Sequence, residues 1–233
     1  MEKIAFEKEE LSYEVTEELK TLRTNIQFCG DNKKVIMVTS CISGEGKSST
    51  TLHLAQSLAN LNKKVLLLDV DLRKSALINQ VAGGRVKKGL SHFLSGQCTF
   101  NEIMYATDTP SLAVIFAGVA PPNPTELLSS KMFQVMVTKL RETFDYIIVD
   151  CPPLGMVVDA AIVSQQCDGA ILLLEAGMIK YRFAQETKKK LENANCPILG
   201  VILNKVTKKT SGKYYGQYYG KRYTKYYKHE DEE

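Results

Sequence analysis

A doubly wound α/β fold, a mostly parallel sheet with helices on both faces, is what this 233-residue sequence predicts. Three observations lead there. Short, nearly continuous Val- and Ile-rich runs recur along the chain, as strands buried on both faces of a parallel sheet require. Longer stretches with helical spacing separate them, and strand–helix alternation builds this architecture. Three of the apolar runs end in a glycine loop or in carboxylates, and ligands of such sheets sit at the carboxyl ends of the strands.

The elements follow in order. Residues 13–28, YEVTEELKTLRTNIQF, put Val15, Leu19, Leu22 and Ile26 in one stripe on a charged helix. That helix packs either on its own domain or on a neighbouring subunit. Strands are expected at 35–39, 65–68, 112–116, 146–149, 170–174 and 199–203. Helices are expected at 47–61, 124–141, 160–166 and 181–194. Residues 207–233 lack apolar periodicity and are expected to form a flexible tail.

Composition narrows the function classes. A hydrophobic fraction of 44% supports a full core. The net charge of +4 is mild but uneven: residues 208–228 hold seven Lys or Arg and no acid, and the last four residues are all acidic. The six cysteines form no CxxC pair, which argues against zinc or a disulfide framework and for reduced thiols in the cytosol. The first ten residues are charged and carry no signal-peptide core. Apolar runs such as 65–68 and 170–174 fall far short of the ~20 residues of a membrane helix. Seven of the eleven tyrosines crowd into KYYGQYYGKRYTKYYKHEDEE: Tyr214, Tyr215, Tyr218, Tyr219, Tyr223, Tyr226 and Tyr227. Gly and Lys separate them, so no core absorbs these rings.

The chemistry begins after the first strand, at SCISGEGKSST. Ser43, Gly44, Glu45, Gly46, Lys47, Ser48 and Ser49 form the end of a Walker A loop, whose backbone N–H groups point at phosphate oxygens while the next helix offers its N-terminus to the anion. Lys47 is expected to reach the β- and γ-phosphates and Ser48 to ligate Mg²⁺. The full pattern asks for Gly where this chain has Cys41. The fold is thereby of phosphate-loop NTPase type. VLLLDVDLR places Asp69 and Asp71 at a second strand end, with Arg73 beside them, and YIIVDCPP places Asp150 at a third. Carboxylates ending buried strands beside a phosphate loop are suited to organising Mg²⁺ and its waters. Asp145 and Asp159 are read as caps. Asn204, in GVILNK, is placed to hydrogen-bond an adenine edge or to serve a turn.

Together these segments resemble the bacterial tyrosine kinases of capsule and exopolysaccharide assembly. The resemblance runs through EELKTLRTNIQF, TSCISGEGKSSTTLHLA, LLLDVDLR, GLSHFLSG, APPNPTELL, IIVDCPP and the tyrosine-rich end. It implies ATP- and Mg²⁺-dependent autophosphorylation of the tail tyrosines. Lys47 and Ser48 carry over as Walker A residues, Asp69 and Asp71 as the second acidic motif, and Asp150 as Walker B. A ring-like homo-oligomer is implied, in which one tail enters a neighbour's site. The family's assembly motif Glu-x-x-Arg-x-x-Arg corresponds to Glu17, Lys20 and Arg23, with Lys in place of the first Arg. Lys makes no bidentate fork. With no membrane span, the chain is similar to members that use a separate membrane adaptor, and a cytoplasmic protein recruited to the inner membrane face is expected, with a cognate tyrosine phosphatase. The implied domains are a helical oligomerisation segment at 1–30, a phosphate-loop kinase domain at 31–206 and the tail at 207–233.

Within that scheme Asp69 is expected to orient the acceptor hydroxyl or take its proton, with Asp71 and Asp150 serving Mg²⁺; placement alone leaves Asp69 and Asp71 interchangeable. A partitioning or division-site ATPase switch is the nearest alternative, although those loops carry a Lys at the position of Ile42. A third reading takes the basic, aromatic tail as a contact for nucleic acid or anionic membrane; nucleic acid is not the expected partner.

Overall fold

The computed structural model describes residues 1–206; the seven tail tyrosines and the rest of 207–233 lie outside the described residues. The elements are β1 (Glu2–Lys3), β2 (Ala5–Phe6), α1 (Tyr13–Phe28), β3 (Val35–Ser40), α2 (Lys47–Ala59), β4 (Val65–Asp69), β5 (Val81–Gly83), α3 (Leu90–Leu94), β6 (Met104–Ala106), β7 (Leu112–Ile115), α4 (Pro124–Ser129), α5 (Lys131–Thr143), β8 (Tyr146–Asp150), α6 (Asp159–Ser164), β9 (Gly169–Glu175), α7 (Tyr181–Asn193) and β10 (Ile198–Asn204). The main sheet has eight strands in the order β1-β6-β7-β4-β8-β3-β9-β10. Its described pairings are parallel except β6 with β7.

Period-two alternation splits each central strand between two cores. Ile36, Val38, Val65, Leu67 and Ile148 face one side and pack with Ile26 of α1 and Leu52, Ala55 and Leu58 of α2. Val35, Met37, Leu66, Leu68 and Val149 face the other and pack with Phe133, Met136 and Leu140 of α5, Val163 of α6 and Leu191 of α7. Strands covered on both faces carry no polar alternation, which is why the apolar runs are continuous.

Two expectations are corrected. The helix expected at 124–141 is two helices, because Ser130 adopts an extended backbone (φ −66°, ψ 151°) and its hydroxyl accepts the Phe133 N–H at 3.2 Å, capping α5. The charged first ten residues contain strands: β1 pairs with β6 and β2 with β5, and Ile4 and Phe6 are 1% and 3% exposed. The segment assigned to oligomerisation thus also contributes to the core. In α1 the stripe faces its own domain at one end only, with Ile26 buried and Val15 45% exposed. Among the described residues no helix is long and apolar enough to cross a membrane.

Candidate active site

The order β4-β8-β3 brings three strand ends together. β8 lies between the strand that feeds the phosphate loop and the strand that ends in Asp69, and the register pairs Asp150 with Val38 on one side and Asp69 on the other. Backbone bonds lock this corner: Val70 N–H to Asp150 O at 3.0 Å and Cys151 N–H to Val38 O at 3.1 Å. The Thr39 hydroxyl donates to Pro152 O at 2.8 Å and accepts the Leu154 N–H at 3.1 Å, tying β3 to the turn after β8.

The loop between β3 and α2 turns on two glycines. Gly44 and Gly46 have φ of 84° and 94°, a region closed to most side chains. A Cβ on Gly46 would also stand 2.3 Å from the Asn204 side-chain nitrogen. Cys41, in place of the pattern's first Gly, is fully buried and outside the positive-φ region, so the departure costs no backbone strain.

The Glu45 side chain has a part of its own beside the backbone role expected of it. Its side chain is buried, Oε2 accepting the Ile42 N–H at 2.8 Å and Oε1 the Glu175 N–H at 2.9 Å. The carboxylate staples the loop to itself and to the end of β9, leaving only the backbone of Glu45 for a ligand. Asn204, expected at an adenine edge or in a turn, donates its side-chain amide to Glu45 O at 2.9 Å. Lys205, not singled out from sequence, donates to Gly44 O and to Glu175 Oε2, both at 2.8 Å. Its place after Asn204 in LNK was the available signal. Ser43 on the loop and Ser49 in the first turn of α2 are exposed, and Lys47 at the start of α2 is 7% exposed.

The three predicted carboxylates differ sharply. Asp150 is 2% exposed and its Oδ1 is buried with no hydrogen-bond partner. Burial pushes its pKa up to about 7, against the pull of the Ser48 hydroxyl and the Lys47 ammonium. Asp69 is fully buried: Oδ1 accepts the Asp71 N–H at 3.0 Å, and Oδ2 accepts the Ser75 hydroxyl at 2.5 Å and the Ala117 N–H at 3.4 Å. Burial first, then the Asp150 charge, hold its pKa well above the ordinary carboxylate range. Asp71 is half-buried, and its Oδ1 accepts the N–H groups of Arg73 (3.3 Å) and Lys74 (3.0 Å). Buried carboxylates in excess, one oxygen orphaned, beside a hydroxyl: this hard-oxygen donor set fits a divalent cation such as Mg²⁺. Among the described residues no three His, Cys, Asp or Glu side chains form a group that could hold a metal ion by themselves.

Asp159 and Asp145 are not the caps expected. Val158 holds the N-cap position of α6, and Asp159 follows it, buried, in a bidentate pair with Arg73 (Nε–Oδ2 2.5 Å, Nη2–Oδ1 3.0 Å). The Thr125 hydroxyl joins at 2.8 Å. Burial pushes the Asp159 pKa up, but the Arg73 and Thr125 hydrogen bonds outweigh it and hold the carboxyl below its usual range. This clamp ties the loop carrying Asp71 to α4 and α6. Asp145 accepts the Lys64 N–H at 2.8 Å. The expected assembly residues also have partners within the chain: Lys20 pairs with Glu17 at 2.6 Å, and Arg23 donates to Ser57 O and Oγ at 3.2 and 3.4 Å. A cavity of about 780 Å³ along α5 contains none of the predicted site residues.

With the geometry in place, comparison with known proteins is direct. A family model described as an AAA domain matches residues 33–178. The tyrosine-protein kinase CpsD of Streptococcus agalactiae serotype Ia is 44% identical over 193 residues, 82% of this chain and 83% of that one. The kinase domain of the Escherichia coli tyrosine kinase ETK superposes with a TM-score of 0.79 at 30% identity, covering 85% of this chain and 78% of that one. The septum site-determining protein MinD of Pyrococcus horikoshii, complexed with Mg-ADP, shares the fold alone, at 23% identity and a TM-score of 0.62 over 73% and 69% of the two chains. The kinase relatives displace the switch-ATPase alternative. A phosphate loop with two acidic strand ends, on a chain this similar to named kinases, makes this protein a member of the capsule-type bacterial tyrosine kinases, which are protein-tyrosine kinases of the phosphate-loop fold.

Proposed function

We propose that the chain is an ATP- and Mg²⁺-dependent autokinase that phosphorylates the tyrosine cluster at 214–227, one subunit acting on the tail of another. Asp150 carries the reading: a carboxylate buried beside Lys47 and Ser48 with one oxygen bonded to nothing is a site made for a cation and phosphate together. Ser48, Asp71 and Asp150 are the donors that would hold Mg²⁺, which when bound neutralises charge on the phosphates. Lys47 sets its ammonium against the β- and γ-phosphates, and the N–H groups of Ser43–Ser49 cradle them. Glu45, Asn204 and Lys205 keep that cradle in shape.

Asp69 takes the phenolic proton. As the tyrosine oxygen bonds to the γ-phosphorus, the bond from that phosphorus to the ADP oxygen breaks and the proton passes to the Asp69 carboxylate. A raised pKa suits this, since a carboxylate that holds protons more tightly is a better base toward a phenol of reference pKa ~10. Glu17, Lys20 and Arg23 serve assembly of the homo-oligomer by exchanging contacts with a neighbour, and a separate membrane adaptor and a tyrosine phosphatase complete a cycle regulating capsular or exopolysaccharide synthesis.

Incubation with Mg-ATP followed by mass mapping of 207–233 tests the reading: phosphate on the cluster supports it, and an unlabelled cluster overturns it. A Lys47→Met chain with an intact tail, mixed with an active chain whose seven tail tyrosines are Phe, reports transfer between subunits. Label on the Lys47→Met chain is expected, and its absence would assign transfer to a chain's own site.

A further inference from the structure

Asp69 poses a problem for any tyrosine substrate: the carboxylate is sealed. Two of its three hydrogen-bond donors, the N–H groups of Asp71 and Ala117, belong to the backbone at strand ends and are fixed there. The third, the Ser75 hydroxyl on Oδ2, is a side chain on the loop after β4, half-buried and one rotatable bond from release. Ser75 also lines a cavity of about 190 Å³. Ile78, Val86 and Phe116 give this cavity apolar walls, and Lys87 and Lys88 stand at its rim.

We propose that Ser75 is a positioning residue whose hydroxyl holds, in the resting enzyme, the place on Asp69 that the acceptor tyrosine must take, and yields it as the phenol enters this cavity. The inference rests on the kinase reading above, with Asp69 as proton acceptor. An apolar-walled cavity whose lining hydroxyl, that of Ser75, is bonded to a buried carboxylate suits the flat ring and single hydroxyl of tyrosine. The exchange is hydroxyl for hydroxyl, so Oδ2 keeps a hydroxyl donor beside the Ala117 N–H and loses no hydrogen bond at any stage. Lys87 is paired with Glu2 at 2.8 Å and Lys88 with Glu102 at 2.6 Å, so the rim opposes a basic tail only weakly. A serine acceptor would leave the walls unfilled, and the slot thereby selects tyrosine.

The test uses the full chain with its seven tail tyrosines changed to Phe, and a synthetic peptide of residues 213–228 as acceptor in trans. Ser75→Ala removes the competing hydroxyl, so KM for the peptide should fall about fivefold, the worth of one hydrogen bond, while KM for ATP stays within about twofold. Ser75→Thr restores a hydroxyl and should return the peptide KM to the starting value. Ser75→Gly provides a second hydroxyl-free variant should the alanine form fold poorly. A peptide KM that is unchanged or higher in the hydroxyl-free forms, or a Thr form that behaves like Ala, overturns the proposal and leaves the kinase reading intact. Failure of the Ser75 parent to label the peptide at all overturns the kinase reading itself.

Discussion

Asp150→Asn isolates what it costs the fold to keep a metal-ready carboxylate. Asp150 is buried at the centre of the sheet, with Oδ1 unpaired and a pKa pushed from 3.8 up to about 7 by burial. A carboxyl that titrates higher when folded binds protons more tightly in the native state. Its stabilising effect is therefore complete below the unfolded value and is lost as pH rises through about 7. A rise of roughly three units at ~1.4 kcal/mol each bounds the effect near ~4 kcal/mol. Water entry and relaxation around a buried charge reduce it, so about 2–4 kcal/mol is expected. For a chain of this length each kcal/mol moves Tm by about 2–4 °C. The assay is thermal unfolding without nucleotide or divalent cation, across about pH 5 to 8. The wild type should lose at least about 4 °C more than Asp150→Asn over that interval. The variant also removes the charge that raises the Asp69 pKa, which flattens its profile further. Adding Mg-ADP at the upper pH should restore the wild type and leave the variant unmoved. Parallel pH profiles for the two proteins would refute the claim that a strained anion resides at Asp150.

Other perturbations follow from the same contacts. Glu45→Ala leaves the N–H groups of Ile42 and Glu175 without acceptors; at about 1–3 kcal/mol for each unsatisfied group, Tm should fall and KM for ATP rise, readable by melting curves and steady-state kinetics. Gly46→Ala forces a side chain into φ 94° and against Asn204. Nucleotide binding measured by calorimetry should be lost, and Asn204→Ala in the same chain should recover little of it because the backbone strain remains. Arg73→Lys loses the two-pronged contact with Asp159; transfer rate should fall more than ATP affinity, since the clamp holds the loop of Asp71 and not the phosphate loop.

Much of the fold was legible because one physical condition dominates it. Strands covered on both faces must be apolar throughout, and every one of the six runs expected from that rule is a strand of the central sheet. The pieces that escaped notice obey a different condition. β1 has only β6 to pair with, β2 only β5, and none of these exceeds three residues. Strands that short give no periodicity to read, and Glu2 and Lys3 look like a solvated terminus until β6 is placed beside them. Ser130 was hidden for a related reason. Helical spacing continues across it, and only its extended backbone separates α4 from α5.

At the site, the sequence specified which strand ends meet but not which way each side chain turns. Asp69 and Asp71 read alike, two residues apart after one strand. Asp69 is still within the sheet and bonded inward, whereas Asp71 lies beyond the strand end, half-exposed. Glu45 stands among residues whose backbone faces phosphate, yet its carboxylate points to Ile42 and Glu175. Asn204 ends the last strand and looks ready to meet a base, yet its side chain, like that of Lys205 after it, bonds a carbonyl of the phosphate loop. These residues share one physical demand. A loop curled to aim its N–H groups at an anion turns several carbonyls outward, and each needs a donor from a neighbouring element. Asn204 at the end of β10 and Lys205 just after it supply two of those donors, so the segment that closes one edge of the sheet also shapes the phosphate loop.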